Sequence, residues 1–302
     1  MSVSLHVLAA VLLAVVAIVV VVCEPVFRRR LARFRPFQAL VLGSALVLIP
    51  INAVFAASGQ ATGAGHHLAL IASASALTAE VLVAGLYVRH RQVTHQPRRI
   101  LAVGAHPDDL ELACGGTLAR LVDSGHEVHA LVMSSGAVGG DVDRRAGEAH
   151  RAGALIGVTS CTVGGLPDTR LDESVRVMTN LVEEQLQRHN PDIILTHSAH
   201  DQHQDHLAVN LATMRAARAH PAILCYESPS VTADFKPQVF VDIEDYLPAK
   251  AAAVAEHADQ RSKSYMNEEQ LSARATFRGA QGRTRAAESF EAVRISAFRG
   301  VL

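Results

Sequence analysis

The sequence lacks tryptophan altogether, and aromatic residues make up only 4% of its 302 residues. It also lacks an excess of charge of either sign, because 28 lysines and arginines stand against 29 acidic residues. Proteins that hold nucleic acid by its phosphates carry a clustered basic surface, which this balance does not provide. We therefore predict no nucleic-acid partner.

Cysteine pairs are missing as well. The four cysteines are widely separated, with neither a C-x-x-C pair nor zinc-finger spacing, and they are Cys23, Cys114, Cys161 and Cys225. This spacing excludes a cysteine zinc site and gives no sign of a disulfide framework. Reduced thiols are typical of cytosolic domains, so we expect the polar part of the chain to lie in the cytosol.

Long uncharged runs, in contrast, fill the first ninety residues. Runs at about 4–23, 37–57 and 68–88 are each close to the ~20 apolar residues that a helix needs to cross a bilayer. A cleaved signal peptide normally has basic residues before its apolar run, whereas here arginines follow it. We therefore predict that residues 1–90 form a membrane anchor with three transmembrane helices. Glu80 is expected to face the interior and contact a neighbouring helix, and the alternative is a part in an ion or proton pathway.

The arginines indicate the topology of this anchor. The loop at 58–67, which ends in His66 and His67, has no lysine or arginine. Basic residues instead follow the first and third runs, at positions 28, 29, 30, 33 and 35 and at positions 89, 91, 98 and 99. Positive residues favour the cytoplasmic side. Three spans then predict a multi-pass protein of the cell membrane with its N-terminus outside and the rest of the chain in the cytoplasm.

A polar linker at 91–98 leads into a predicted domain at 99–302. Short β-rich segments at 99–104, 127–133, 160–163, 192–196, 222–226 and 238–243 alternate with helical patterns at 116–124, 143–156, 173–189, 205–218 and 247–261. This alternation predicts an α/β, Rossmann-like fold, with a mainly parallel sheet and helices on both faces. The last thirty residues show no clear pattern.

Two unusual polar loops follow predicted strands. One reads A-H-P-D-D at 105–109, and the other reads H-D-Q-H-Q-D-H at 200–206. The carboxyl ends of parallel strands share one sheet edge, so we expect the loops to meet there. Imidazole and carboxylate groups suit a catalytic zinc with three protein ligands and a water, and the spare groups suit acid–base work. Each motif alone is more typical of a capped turn, and two histidines with one carboxylate also hold Fe(II) in oxygenases.

These residues resemble the LmbE-like, PIG-L family of zinc-dependent N-acetylglucosaminyl deacetylases. Its signature A-H-P-D-D-x-E followed by G-G matches 105–111 and 115–116, and its H-x-D-H signature matches 203–206. Weaker family features recur in order, namely Gly136, Arg145 with Glu148, Asp168, Lys250, and His257 with Gln260. The resemblance covers about residues 99–302.

The resemblance implies a role for each matched residue of the two signatures. The ion would be Zn²⁺, with Fe²⁺ or another divalent ion as the alternative, and its ligands would be His106, Asp109 and His206. Asp108 would be the general base and His203 the general acid, with Asp205 orienting His203 or tuning its pKa.

Other positions are less clear. Arg145 and Asp168 would contact the sugar, although a surface or helix-end salt bridge explains either residue equally well. Glu111 matches the family but receives no chemical step. The family often has proline where this chain has Gln204, and its active sites can carry a nearby tyrosine, a part for which Tyr226 is the candidate here.

The expected activity is therefore removal of the N-acetyl group from an N-acetylglucosamine-type sugar. A membrane anchor suggests a lipid-linked substrate at the bilayer surface. One alternative is an amidase acting on a larger N-acyl or thiol conjugate, and another is a catalytically inactive membrane adaptor. A dinucleotide-binding domain is disfavoured because no G-x-G-x-x-G follows the first strand.

Overall fold

The computed structural model describes residues 2–31, 33–58, 63–88 and 96–296. The chain divides into two compact units, Met1–His90 and Arg91–Leu302. Part of the expected linker, residues 91–95, and the arginines at 89 and 91 lie outside the described residues. The same holds for residues 297–302 of the predicted domain.

Unit 1 is helical. Its helices are α1 (Ser2–Val22), the short α2 (Glu24–Arg30), α3 (Phe34–Ser58) and α4 (Ala64–Tyr87). Three of them are long and apolar enough to cross a membrane, over Val3–Val22, Phe34–Ser58 and Ala64–Tyr87. The prediction of three such helices is confirmed, and the second and third begin three or four residues earlier than expected, at Phe34 and Ala64.

Polar side chains are buried inside unit 1. The carboxylate of Glu80 accepts a hydrogen bond of 2.5 Å from the Ser44 hydroxyl, so its predicted inward orientation is confirmed. His66 was expected in a loop, but it lies in the first turn of α4 and contacts His6 on α1. The other ring nitrogen of His6 lies 2.7 Å from Oδ1 of Asn52 on α3. Hydrogen bonding across helices explains why His66 belongs to the helix.

Unit 2 contains a seven-stranded sheet in the order β3-β2-β1-β4-β5-β7-β6. Its strands are β1 (Arg99–Gly104), β2 (Glu127–Ser134), β3 (Ser160–Leu166), β4 (Ile193–His197), β5 (Ala222–Tyr226), β6 (Val239–Asp242) and β7 (Ala287–Ile295). Strands β1 to β5 pair in parallel, and β7 pairs antiparallel with β5 and β6. The predicted α/β fold with a mainly parallel sheet is confirmed.

Helices cover both faces of this sheet. They are α5 (Asp109–Asp123), α6 (Val142–Ile156), α7 (Val175–His189), α8 (Gln204–Ala216), α9 (Leu247–Ala255) and α10 (Glu268–Gly282). Alternate residues of a strand face opposite sides. Ile100 and Ala102 of β1 therefore pack in one apolar cluster with α5, α6, α9 and α10, while Leu101 and Val103 pack in a second with α7 and α8.

Helix α5 begins at the first polar motif rather than at 116, because its first half continues from the loop and then bends at Cys114. The bend leaves amide groups without helical partners. The N–H groups of Gly116 and Thr117 donate to the Glu288 carboxylate on β7, at 3.0 and 2.7 Å. Lys250 on α9 lies 2.5 Å from the same carboxylate and balances its buried charge. The tertiary structure thus caps the second half of α5.

The C-terminal region differs most from the sequence-based expectation. The helix expected at 247–261 ends at Ala255, and two short 3₁₀ turns follow, at Ala258–Gln260 and Ser264–Met266. The last thirty residues, left unassigned by pattern, include the end of α10 and strand β7. Strand β7 lies between β5 and β6, so its partners are supplied by segments that precede it in the chain.

Candidate metal centre

The two polar loops meet at the carboxyl ends of neighbouring strands. Strands β1 and β4 pair directly in parallel, so the loops that leave them share one edge. Asp108 occupies the N-cap position of α5 with a φ of 121°, a backbone region that side chains rarely adopt. His203 occupies the N-cap position of α8. Strain at a non-glycine residue is common where a site needs a fixed orientation.

His106, Asp109 and His206 lie close together and are almost fully buried. Asp109 Oδ2 is 3.5 Å from His106 Nδ1, and Asp109 Oδ1 is 3.4 Å from His206 Nε2. The two imidazole ring centres are 5.4 Å apart. Ligand atoms of a tetrahedral zinc with bonds of about 2.1 Å lie about 3.4 Å from one another. The donor types suit a divalent ion, and Asp109 lies near each imidazole through a different one of its two oxygens.

In both His106 and His206, the ring nitrogen that does not face Asp109 lies next to another carboxylate. His106 Nε2 lies 3.0 Å from Asp205 Oδ2 and 3.1 Å from Asp168 Oδ1. His206 Nδ1 lies 2.9 Å from Asp201 Oδ2. Histidines that bind metal almost always donate their second N–H to a carboxylate or carbonyl, which fixes the ring. The surroundings of His106 and His206 fit this pattern.

The electrostatics of the cluster also favour a cation. Burial lowers the pKa of His206, but Asp109 and Asp201 outweigh burial and raise that pKa to about 9. The pKa of His106 is likewise raised well above its ordinary value against the effect of burial, through Asp109, Asp168 and Asp205. The carboxylates therefore stabilise positive charge on groups that are buried. A divalent ion would supply that charge with the imidazoles neutral.

His197 belongs to this cluster although the sequence did not indicate it. It ends β4, where the predicted strand stopped one residue earlier, and it is fully buried. Its Nε2 lies 3.1 Å from Asp109 Oδ2, and its ring stacks on His206 with centroids 3.9 Å apart. Burial and the neighbouring His206 lower the pKa of His197 to about 4, so the ring is neutral near pH 7.

Three overlapping groups of side chains are compact enough to hold an ion. They are His106 with His203 and His206, Asp109 with His197 and His206, and His106 with Asp168 and Asp205. Each group contains at least one of the three predicted ligands. His106 and His206 share the first group and Asp109 and His206 share the second, so the structure brings the predicted ligands together in pairs and offers His197 as a neighbouring donor. From the sequence, Asp201 is only one residue of the second loop. In the structure its carboxylate lies 2.9 Å from His206 Nδ1.

Asp108 is buried beside the cluster, with 5% of its surface exposed, and it lines the cavity described below. Burial, followed by the charge of Asp109, raises the pKa of Asp108 to about 6, and Arg145 opposes this shift. The guanidinium of Arg145 lies 3.4 Å from Asp108 Oδ2. A general base works best when its pKa is near the operating pH. Asp108 meets that requirement.

His203 lies against both predicted histidine ligands, with ring centroids 4.5 Å from His206 and 4.9 Å from His106. Its Nδ1 accepts a hydrogen bond of 3.2 Å from the backbone N–H of Asp205. The proton of the neutral ring is therefore on Nε2. Burial and the neighbouring imidazoles lower the pKa of His203, which makes its protonated form a stronger acid.

The carboxylate of Asp205 contacts a different partner from the one expected. The resemblance implies that it orients His203 or tunes its pKa. Its charge does raise the pKa of His203 against the effect of burial. Its Oδ2, however, lies 3.0 Å from His106 Nε2 and accepts from the Thr169 N–H at 2.7 Å. Its Oδ1 accepts from the Leu171 N–H at 3.1 Å. Positions two apart at a helix start point in different directions, which separates this carboxylate from the His203 ring.

Arg145 and Asp168 are buried within the site, not exposed salt bridges. Arg145 donates to the carbonyls of Gly136 at 2.6 Å and Pro107 at 2.9 Å. Asp168 Oδ2 accepts from the N–H groups of Val138 and Gly139. Both side chains therefore fix the loop after β2. Gly136, at φ +71°, has Arg145 where a Cβ would stand.

A cavity of about 290 Å³ opens above these groups. Its lining includes the predicted ligands and Asp108, together with Val138, Pro229, Lys263 and Tyr265. Tyr226 does not reach it: this residue is fully buried and donates to the Val103 carbonyl at 2.7 Å. The suggestion that Tyr226 serves the site is therefore wrong, because a core strand holds it. The tyrosine at the cavity is Tyr265.

The chain is similar to known deacetylases. A family model described as PIG-L, GlcNAc-PI de-N-acetylase, matches residues 101–217. The protein named uncharacterized deacetylase YaiS of Escherichia coli (strain K12) is 40% identical over 166 residues, which cover 52% of this chain and 89% of that protein. Diacetylchitobiose deacetylase of Thermococcus kodakarensis is 28% identical over 188 residues, which cover 54% of this chain and 70% of that protein.

Among solved structures, the conserved protein TT1542 of Thermus thermophilus superposes with a TM-score of 0.58 at 25% identity. The superposition covers 65% of this chain and 94% of that one. The residues of the family model lie entirely in unit 2, and they include both polar loops.

Proposed function

The chain belongs to the PIG-L family, and we propose that it is a zinc-dependent hydrolase that removes the N-acetyl group from an N-acetylglucosamine-type sugar. Its relatives are named as deacetylases, one of them of diacetylchitobiose. The observation that supports the proposal most directly is the position of Asp108, a buried carboxylate of raised pKa that lines a cavity beside a cluster of metal-binding type.

In this proposal His106, Asp109 and His206 hold the ion. When bound, such an ion polarises a carbonyl oxygen and brings the pKa of a water ligand near 7. Neighbouring residues of the protein hold the three ligand side chains in position. Asp205 and Asp201 orient the two imidazoles, and the N–H groups of Ala105 and His106 donate to Asp109 Oδ2 at 3.0 and 2.7 Å.

Proton movement is assigned to Asp108 and His203. Asp108 takes a proton as water oxygen adds to the amide carbon. The C–N bond then breaks, and the leaving sugar amine takes the Nε2 proton of His203 from its doubly protonated form, whose lowered pKa eases that release. Solvent returns a proton to His203, and Asp108 loses its own to solvent. The products are acetate and the free amino sugar, and all atoms of the water are accounted for.

The activity is tested on the full chain in detergent, with zinc added and acetate release measured from methyl N-acetylglucosaminide and from diacetylchitobiose. Asp108→Asn is expected to lower kcat by about 10²–10⁴-fold, the usual effect of losing a general base. Asp234→Asn, at an exposed loop position, is the matched control. Absence of acetate release from the unmodified protein on every sugar would contradict the proposal, and faster release of a longer acyl group would favour the amidase alternative.

The substrate is proposed to be lipid-linked, because the sequence joins the catalytic unit directly to three helices of membrane-spanning length. We place the N-terminus outside and the catalytic unit in the cytoplasm, from the positions of the arginines. Fusion of alkaline phosphatase after Leu302 checks this topology, because that enzyme is active only outside the cytoplasm. An active fusion would show that the topology is inverted.

A further inference from the structure

Four buried polar residues of unit 2 have no part in the proposed proton transfers. They are Glu111, Glu148, His257 and Gln260, and none of them has more than 6% of its surface exposed. Burial of a charged side chain is costly unless a partner of opposite charge lies close to it. The contacts of these four residues therefore indicate what they do.

Two of the four residues, Glu111 and His257, form a pair. Oε2 of Glu111 on α5 lies 3.3 Å from Nε2 of His257, which follows α9. Burial lowers the pKa of His257, but the charges of Glu111, Asp108 and Glu148 outweigh burial and raise that pKa. The surroundings therefore favour the protonated imidazole, and the contact is a buried ion pair.

Glu111 belongs to the same helical turn as Asp108. Asp108 is the N-cap residue of α5 and Glu111 is the third residue of the helix, where a glutamate usually bonds back to the N-cap N–H. Here the Glu111 carboxylate contacts His257. Asp108 has a φ of 121°, and its side chain makes no cap hydrogen bond. Strained backbone persists only where the surrounding structure holds it, so this turn needs contacts from other elements.

Two cations from separate elements provide such contacts. Arg145 on α6 donates to the Pro107 carbonyl at 2.9 Å and lies 3.4 Å from Asp108 Oδ2. His257 contacts Glu111, one turn further along α5. Both cations also act on Asp108 by charge, because burial raises the pKa of Asp108 whereas Arg145 and His257 oppose that shift. The start of α5 is therefore held by α6 and by the segment after α9.

The segment that carries His257 is itself fixed by the other two residues. Oε1 of Glu148 accepts from the Asp259 N–H at 3.3 Å, and the Gln260 side chain donates to the Gly139 carbonyl at 3.0 Å. A side chain holds another in place only when its own position is fixed. Glu148 and Gln260 meet this requirement for His257.

We propose that His257 is a positioning residue for the deacetylation, and that its ion pair with Glu111 holds the Asp108 carboxylate in place. Asp108 lines the cavity, whereas Glu111 and His257 do not. The pair therefore acts on the reaction through Asp108 and not through contact with the sugar. This inference rests on the proposed function and extends it to residues outside the cavity.

Kinetics on the full chain in detergent, with zinc and methyl N-acetylglucosaminide, test the inference. Glu111→Gln and His257→Gln each remove one partner of the pair and are expected to lower kcat about 10- to 100-fold, the effect of a displacement of about 1 Å. KM should change less than about twofold, since neither side chain lines the cavity.

The double variant Glu111→Gln/His257→Gln replaces both charges by amides that can bond to each other. Its kcat is expected to recover to within about threefold of that of the unmodified protein. A kcat loss equal to the product of the two single losses would overturn the inference. A rise in KM with kcat unchanged would also overturn it, because the pair would then act on sugar binding.

Three controls separate positioning from other effects. Glu269→Gln, in the first turn of α10, and His150→Gln, on α6, change exposed residues and should leave kcat unchanged. Gly279→Ala is the control for lost stability, because a Cβ there would stand 2.6 Å from the backbone carbon of Arg285. It should lower the melting temperature but keep kcat when assayed well below that temperature. A kcat loss in Gly279→Ala as large as that in His257→Gln would contradict positioning of Asp108.

Hydrogen exchange separates this inference from the proposed activity, because it needs no substrate. The Leu112 N–H donates to the Asp108 carbonyl at 3.0 Å and closes the first turn of α5. In metal-free full-length protein, exchange in this turn is expected to be about tenfold faster in either single variant and near the unmodified rate in the double variant. This pattern supports the inference even if no acetate is released from any sugar. Unchanged exchange in both single variants would contradict it whatever the activity.

Discussion

Asp201 Oδ2 lies 2.9 Å from His206 Nδ1, and the hydroxyl of Ser228 donates to the same oxygen. The carboxylate therefore holds the imidazole on the side away from Asp109. Partners of this kind usually contribute 10- to 100-fold in metal affinity. They are hard to find by spacing, because Asp201 and Ser228 come from loops after different strands.

We predict that Asp201→Asn weakens zinc binding by about 10- to 100-fold. The reason is that a neutral amide oxygen accepts the hydrogen bond from His206 Nδ1–H more weakly than a carboxylate does. Zinc affinity is measured by competition with a chromophoric chelator. Asp234→Asn is the control and should bind as the unmodified protein does. An unchanged affinity of Asp201→Asn would show that the contact does not support a bound ion.

Removal of zinc should lower the melting temperature of unit 2. Ligand binding stabilises the native state by about 2.7 kcal/mol when the free ligand is at 100 times its Kd. We expect this stabilisation to disappear with chelator and in His206→Gln, and to persist in His200→Gln. His200 is a control from the same loop, 2.9 Å from Glu291 and outside the three metal-binding groups. Thermal unfolding of the full chain with and without zinc checks the prediction.

The two adjacent glycines of the first signature should differ in their tolerance of alanine. A Cβ at Gly116 would stand 2.9 Å from Ile243 Cδ1, whereas the nearest atom to a Cβ at Gly115 is 3.6 Å away, on Lys250. Overpacking of this kind costs about 1–3 kcal/mol. Gly116→Ala is therefore expected to lower the free energy of unfolding by that amount, and Gly115→Ala by much less. Thermal unfolding of the two variants tests this prediction. Equal losses of unfolding free energy in Gly116→Ala and Gly115→Ala would contradict the packing argument.

Stability should fall in mild acid through the stacked pair His129 and His189, whose ring centroids are 3.7 Å apart. Burial, and then the neighbouring His189, lower the pKa of His129, and burial and Arg188 lower the pKa of His189. A lowered pKa means that the unfolded chain binds protons more tightly than the folded one. The two neutral histidines therefore make their full contribution to the free energy of unfolding above the ordinary histidine pKa of about 6.5. This contribution is lost as the pH falls below that value.

The variant His189→Gln is expected to lose less stability than the unmodified protein between pH 7.5 and pH 5.5. His150→Gln, at an exposed position of α6, is the control and should behave as the unmodified protein does. Melting temperatures of metal-free protein across this range are compared, so that metal loss does not contribute. Parallel curves for His189→Gln and the unmodified protein would contradict the assignment.

The three long apolar helices and the parallel strands could be predicted from sequence because each depends on local regularity. An apolar run of bilayer length needs no partner to be recognised, and short buried strands alternating with helices define the sheet class. Asp108 and Asp109 could be chosen as candidates because both belong to one loop directly after a strand. The pairing of β1 with β4 then made their meeting with His206 a consequence of topology.

What the sequence by itself determined is the class of fold, the three apolar helices and the chemical types gathered in the two loops. The tertiary structure alone decided which atoms meet. It turned the Asp205 carboxylate to His106, placed His197 in contact with Asp109, kept Tyr226 in the core and made Lys263 and Tyr265 part of the cavity lining. These contacts join residues up to about a hundred and fifty positions apart, and side-chain direction at such distances depends on packing, which periodicity along the chain does not report.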